Sequence, residues 1–215
     1  MIIRQLTVGP LAENAWLLCD PPSSDAVLVD PGDEPARLLD AVDESGCTLR
    51  AIWLTHAHFD HVGAVAAILR DRPVPVYLHP LDRGLYDRAN ATGRLYGLDI
   101  ETPPPPDREL AEGGRVQLGA TVFSVWHLPG HAPGHVAYIG DGMCFSGDLL
   151  FAGSVGRTDL PLCNPRDMSE SLQRLASLPP TTRVFPGHGH ETSIAQELAG
   201  NPFLRGVARP VGTRL

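Results

Sequence analysis

A chain of 215 residues, 43% hydrophobic and 20% charged, is long enough to bury one sizeable core and short for two. Its 25 acidic and 17 basic side chains leave a formal charge of −8. That balance speaks against nucleic acid and anionic membranes as main partners, but not against a small anionic substrate, because a metal site sets its own local field.

Ile2 to Val8 and Ala15 to Cys19 read as two strands of a hairpin turning at Gly9-Pro10. Ala26 to Val29 is a short apolar strand stopped by Asp30-Pro31-Gly32. Glu34 to Ser45 has helical spacing through Leu38, Leu39 and Val42 and closes at Gly46. Ala51 to Leu54 is a buried strand running into Thr55-His56. The apolar positions Val62, Val65, Ile68 and Leu69 predict a helix over 60–71, and a strand follows over 74–78. Residues 80–110, with the Pro-rich run Thr102 to Pro106, read as an irregular insert near a site. Further strands are expected near 116–118, 121–127, 136–139, 143–145 and 183–185, with helices over about 166–178 and 192–198. Strands in runs, with helices between the runs, suggest sheet-on-sheet packing with helices outside, in one domain. The first residues lack the basic and long apolar regions of a signal peptide, and no apolar stretch is membrane-length. Cys19, Cys47, Cys144 and Cys163 form no C-x-x-C pair and read as reduced thiols, so the cytoplasm is the expected location.

The strongest local signal is Thr55-His56-Ala57-His58-Phe59-Asp60-His61. His56 and His58 lie two apart just past a strand, where extended backbone points both side chains the same way, so they can grip one ion. Asp60 and His61 follow where the chain turns into a helix and can face a second ion. His131 in Pro129-Gly130-His131-Ala132-Pro133-Gly134-His135, Asp148 in Ser146-Gly147-Asp148 and His188 in Pro186-Gly187-His188-Gly189 each follow a strand on a Gly or Pro turn, as ligands gathered on one rim would. Seven nitrogen and oxygen donors without cysteine suit two divalent ions such as Zn, Fe or Mn.

These motifs resemble the metallo-β-lactamase superfamily, and within it the short bacterial glyoxalase II-like hydrolases. Leu28-Val29-Asp30-Pro31-Gly32, Gly153 to Asp159 and Asn201-Pro202-Phe203-Leu204 extend the resemblance along nearly the whole chain. It implies a four-layer αββα sandwich over 1–215, without the C-terminal helical domain of the longer enzymes. It implies that His56, His58 and His131 hold one metal, that Asp60, His61 and His188 hold the other, and that Asp148 bridges them. Arg157 falls where the family carries a basic residue for the glutathione carboxylate and becomes a candidate substrate contact, against the plainer reading of a surface arginine paired with Asp159. His135 resembles a position behind the ligands. Asp30 either orients a ligand histidine or the 55–61 loop, or caps a turn. His79 and His127 read as hydrogen-bonded structural histidines, His190 as exposed, and Cys163 has no account.

Two divalent ions offset by Asp60 and Asp148 leave a cationic centre, at which a bridging water would become hydroxide near neutral pH and attack a carbonyl carbon. Asp60 is also a candidate proton acceptor. The resemblance implies a small thioester substrate, S-D-lactoylglutathione or a similar glutathione-derived compound, with oligomeric state left open. The rival reading is a persulfide dioxygenase using one iron on His56, His131 and Asp148. A lactonase and a metal-dependent scaffold are weaker rivals. A β-lactamase is disfavoured by the missing export signal.

Overall fold

The computed structural model describes residues 1–212. The expected domain span of 1–215 therefore ends on three residues, 213–215, that lie outside the described ones. The first sheet has six strands in sequential order: β1 (Ile2–Val8), β2 (Glu13–Asp20), β3 (Asp25–Val29), β4 (Thr48–Trp53), β5 (Val76–Leu78) and β6 (Arg108–Glu109). β1, β2 and β3 pair antiparallel; β3, β4, β5 and β6 pair parallel. The second sheet is built from β7 (Arg115–Leu118), β8 (Thr121–His127), β9 (Val136–Gly140) and β10 (Met143–Gly147). After a separate hairpin of β11 (Leu150–Phe151) and β12 (Ser154–Val155), it is completed by β13 (Arg183–Pro186) and β14 (Thr192–Ser193), in the order β14-β13-β10-β9-β8-β7.

Alternation along the strands decides the layers. Trp16, Leu18, Val27, Val29 and Trp53 of the first sheet pack against Phe123, Val125, Tyr138, Phe145 and Phe185 of the second, making the central core. The opposite face of the first sheet, through Leu17, Leu28 and Ile52, is covered by α1 (Pro35–Glu44) and, beyond the short α2 (Phe59–Val62), by α3 (Val65–Asp71). Past α4 (Arg83–Tyr86) and α5 (Ala89–Leu95), the second sheet's outer face, through Ala137, Cys144 and Val184, is covered by α6 (Pro165–Leu175) and α7 (Ile194–Gly200). The result is the expected αββα sandwich. No helix among the described residues is long and apolar enough to cross a membrane.

Three local expectations are corrected. β2 begins at Glu13, two residues earlier than its apolar pattern announces, because Glu13 and Asn14 continue the ladder with Val8 and Thr7 although both are polar and buried. The helix expected over 60–71 breaks at Gly63-Ala64. The Ala64 amide donates to Pro31 O, and a Cβ on Gly63 would overlap Gly32 O, so close packing on the 30–32 turn overrides helical continuity. The 80–110 insert is ordered rather than irregular, holding a 3-10 turn at Pro80–Asp82, then α4, α5 and β6. Its helices of four and seven residues are too short to show a period, and buried Tyr86, donating to Pro104 O at 3.0 Å, helps fix them by tertiary contact.

Candidate metal centre

Every predicted ligand follows the C-terminal end of a strand, and all seven gather on one rim. His56 and His58 leave β4, Asp60 and His61 sit in α2, His131 follows β8, Asp148 follows β10 and His188 follows β13. His56, His58 and His131 offer ring nitrogens within 4.8 Å of one another, and so do the donors of Asp60, His61 and His188. Asp148 lies between the two sets. Its Oδ1 is 3.4 Å from His61 Nε2, and its Oδ2 is 3.5 Å from both His131 Nε2 and His188 Nε2. The approach requires glycine. At Gly147 (φ +47°) a Cβ would overlap Thr55 Oγ1, and at Gly187 it would overlap Asp148 Oδ1.

Hydrogen bonds behind the rings fix which nitrogen faces inward. Thr55 donates both its amide and its hydroxyl to Asp30, at 2.7 and 2.6 Å. Its hydroxyl oxygen is then free to accept from His56 Nδ1–H at 3.1 Å, which leaves the Nε2 lone pair bare. His131 Nδ1–H donates to the Arg157 carbonyl at 2.8 Å, so its Nε2 also carries a lone pair, 2.8 Å from His58 Nδ1. His61 Nδ1 faces Asp30 Oδ2 at 3.2 Å, turning its Nε2 to the centre. Asp30 also lies within reach of His56 and His61 as a potential ligand. Its oxygens, however, face Thr55 and the rear nitrogen of His61, which sets it behind the inward-turned ring nitrogens. His135 Nε2 accepts from the Asp148 amide at 3.1 Å and so orients the central carboxylate from behind.

This donor set fits divalent metal ions. His56 Nε2, His61 Nε2 and Asp148 Oδ1 are buried without any hydrogen-bond partner. Each such orphan costs about 1–3 kcal/mol, and converging lone pairs repel, unless a cation joins them. Burial first, then the neighbouring imidazoles, holds His56 well below the ordinary imidazole range; burial and His131 push His58 down to about 3. Both shifts favour the neutral ring, the form that metal ligation requires. Although burial opposes it, the imidazoles of His61, His131 and His188 hold the Asp148 carboxyl far below the usual carboxylate range, and the carboxylates of Asp148 and Asp60 raise His61 against the same opposition.

Arg157 lies at the exposed edge, its guanidinium bound to Asp159 at 2.6 and 2.9 Å, while its backbone carbonyl anchors His131. Cys163 is one of four free thiols, and its Sγ–H donates to His131 O at 2.9 Å. Burial pushes that thiol up, so it stays a neutral donor that buttresses the His131 turn. His79 and His127 stack 4.2 Å apart, and His190 is exposed. Sequence reasoning missed two groups. Glu13, 1% exposed, places Oε1 3.7 Å from His61 Nδ1. Asp82, fully buried, accepts from the Ala57 and Gly134 amides. An acidic residue at the mouth of an apolar strand was the only available signal for the first; nothing local marked the second.

A sandwich of two sheets with a histidine- and aspartate-lined rim defines a class of metal-dependent proteins, and the family model described as the metallo-β-lactamase superfamily matches residues 8–188. The chain belongs to that superfamily. It is similar to TTHA1623, solved in a di-iron-bound form (52% identity, 94% of this chain and 100% of that one, TM-score 0.87), and to BLEG-1 B3 metallo-β-lactamase (40%, 94% and 99%, TM-score 0.88). It is also similar to ETHE1 from Myxococcus xanthus (30%, 96% and 85%, TM-score 0.82). The hydroxyacylglutathione hydrolase GloC of Haemophilus influenzae is 33% identical over 95% of this chain and 98% of its own length. The His/Asp clusters and the di-iron relative support a dinuclear metal site here.

Proposed function

We propose that this chain is a dinuclear metal-dependent thioesterase acting on S-D-lactoylglutathione or a similar glutathione-derived thioester. The observation that carries the reading is Asp148, with one oxygen turned toward His61 and the other toward His131 and His188, between two complete three-residue donor sets. Two divalent ions there would supply Lewis acidity and a water activated near neutral pH. The chain's own residues do the rest. His56, His58 and His131 form one ligand group, and Asp60, His61 and His188 the other. Asp60 and Asp148 contribute two negative charges that moderate the centre, and Asp60, its Oδ2 3.5 Å from His188 Nε2, is our candidate proton acceptor. Thr55, Asp30 and the Arg157 carbonyl keep ring lone pairs aimed inward. In the reaction, water oxygen bonds to the acyl carbon, the C–S bond breaks, and the leaving thiolate takes up a proton. The Arg157 guanidinium, exposed and paired with Asp159 among the described residues, would exchange that partner for a substrate carboxylate. The name of the GloC relative supports the substrate class.

A second reading, a persulfide dioxygenase with one iron on His56, His131 and Asp148, draws on the likeness to ETHE1. The second donor set of Asp60, His61 and His188 offers a second ion a place and supports the hydrolase reading. The test is metal analysis of freshly purified protein together with turnover of S-D-lactoylglutathione and of glutathione persulfide. Two metals per chain with lactoylglutathione hydrolysis upholds the proposal. One iron per chain with oxygen consumed on the persulfide replaces it. Hydrolysis of lactones but not thioesters would keep the centre and change the substrate.

A further inference from the structure

We infer that Asp82 is a positioning residue for the first metal, tying together the two separate loops that carry its ligands. Asp82 follows β5 in the 3-10 turn Pro80–Asp82, far in sequence from either loop, and is 0% exposed. Its Oδ2 accepts the amide of Ala57, the residue between His56 and His58, at 3.1 Å. Its Oδ1 accepts the amide of Gly134, in the turn that carries His131, at 2.5 Å. One carboxylate thus fixes the backbone on which all three imidazoles of the first set are mounted. Among the described residues Asp82 makes no hydrogen bond to Asp60, His61 or the His188 turn; its side-chain links are to Ala57 and Gly134.

The surroundings are shaped to this contact. A Cβ on Gly134 would come within 2.7 Å of the Asp82 amide nitrogen and 2.8 Å of Oδ1, so only glycine lets the carboxylate reach the turn. The same segment touches the 129–135 turn a second time. His79 stacks face to face on His127, with 6° between the ring planes, and His127 Nε2–H donates to Pro133 O at 2.8 Å. Asp82 itself receives the rest of its turn through its amide, which donates to His79 O. A carboxylate buried this deeply is costly unless its acceptors are used, and both oxygens are used on ligand-bearing backbone. Groups of this kind behind metal ligands alter metal affinity by about 10- to 100-fold.

The inference rests on the two-metal reading, and the test separates the two. Cobalt(II) is titrated into His188→Ala protein, in which the first donor set is intact, and into His58→Ala protein, in which the second is, following the visible absorption. Asp82→Asn leaves one acceptor oxygen and turns an NH2 donor toward a backbone N–H. In the His188→Ala background it is expected to weaken cobalt binding by about 10- to 100-fold and alter the spectrum; in the His58→Ala background the affinity should stay within about twofold. Gly134→Ala, which blocks the contact without altering the carboxylate, should give the same selective loss. Val42→Ala, beside Thr48 and Leu49 at the opposite end of β4, lowers melting temperature without changing either affinity and controls for general destabilisation. Equal weakening of both sites, or unchanged affinity in the His188→Ala background, overturns the role of Asp82. Absence of cobalt binding in His188→Ala protein with Asp82 intact overturns the metal reading itself.

Discussion

Glu13 Oε1 lies 3.7 Å from His61 Nδ1, on the rear of a ring whose front nitrogen faces the centre. Both Glu13 oxygens lack hydrogen-bond donors, and burial, the largest cause, raises its carboxyl well above the ordinary range in spite of the attraction of His61. A carboxyl raised in the folded state adds stability below its unfolded value and loses it as pH climbs toward the folded one. Chelator-treated Glu13→Gln should therefore melt above chelator-treated wild type at pH 8, with the gap closing toward pH 4. A lower melting temperature at pH 8 would contradict this account of Glu13.

Chelation should abolish hydrolysis, and added Zn, Fe or Mn should restore it. His58→Ala and His188→Ala should each hold about one metal per chain and lose at least about a hundredfold in kcat/KM, since each removes one ligand from a different set. Elemental analysis with kinetics on the same preparations checks this, and full activity in His58→Ala would remove the basis of the mechanism.

Arg157 and Asp159 are both substantially exposed, at 56% and 43% of their side chains, so their ion pair contributes little to folding. Arg157→Ala should leave the melting temperature unchanged. It should raise KM for a glutathione thioester by roughly tenfold, about 1.4 kcal/mol for one charge-assisted contact, with kcat preserved. An unchanged KM would return Arg157 to an ordinary surface role.

Burial, outweighing the amides of Gly134 and Ala57, raises the Asp82 carboxyl from 3.8 to about 6. The sign is again that of a raised acid. Its contribution is complete below pH 3.8 and drains away as pH rises to about 6. The stability of chelator-treated wild type relative to Asp82→Asn should fall by on the order of 3 kcal/mol across that window. Paired denaturant titrations from pH 4 to pH 7 measure it, and a difference that does not vary with pH would refute the assignment.

Gly147 combines a φ of +47° with contact against Thr55 and His135. Gly147→Ala should lower the melting temperature and displace Asp148, so that neither metal binds normally. A well-folded variant with two metals would show that the turn tolerates a side chain.

The layers and the rim were legible in the sequence because both rest on short-range signals. Alternating strands such as β8 and Gly- or Pro-borne ligands such as His131, Asp148 and His188 announce themselves locally. What escaped depends on contacts between distant segments. Gly63 breaks a helix whose apolar spacing is intact because it packs on Gly32. Glu13 is buried within a ladder that its polarity disguises. Asp82 sits in a turn with no periodicity, and its partners Ala57 and Gly134 are 25 and 52 residues away. The donor role of Cys163 toward His131 O likewise spans 32 residues.

The order in which the ligands occur along the chain has a bearing on biosynthesis. A ribosome delivers His56 and His58 early and His131 well before the last strand, whereas His188 follows β13, near the end. The first set of imidazoles can be assembled on a nascent chain while the second still lacks a member. On the two-metal reading, capture of the second ion would wait until β13 has joined the second sheet.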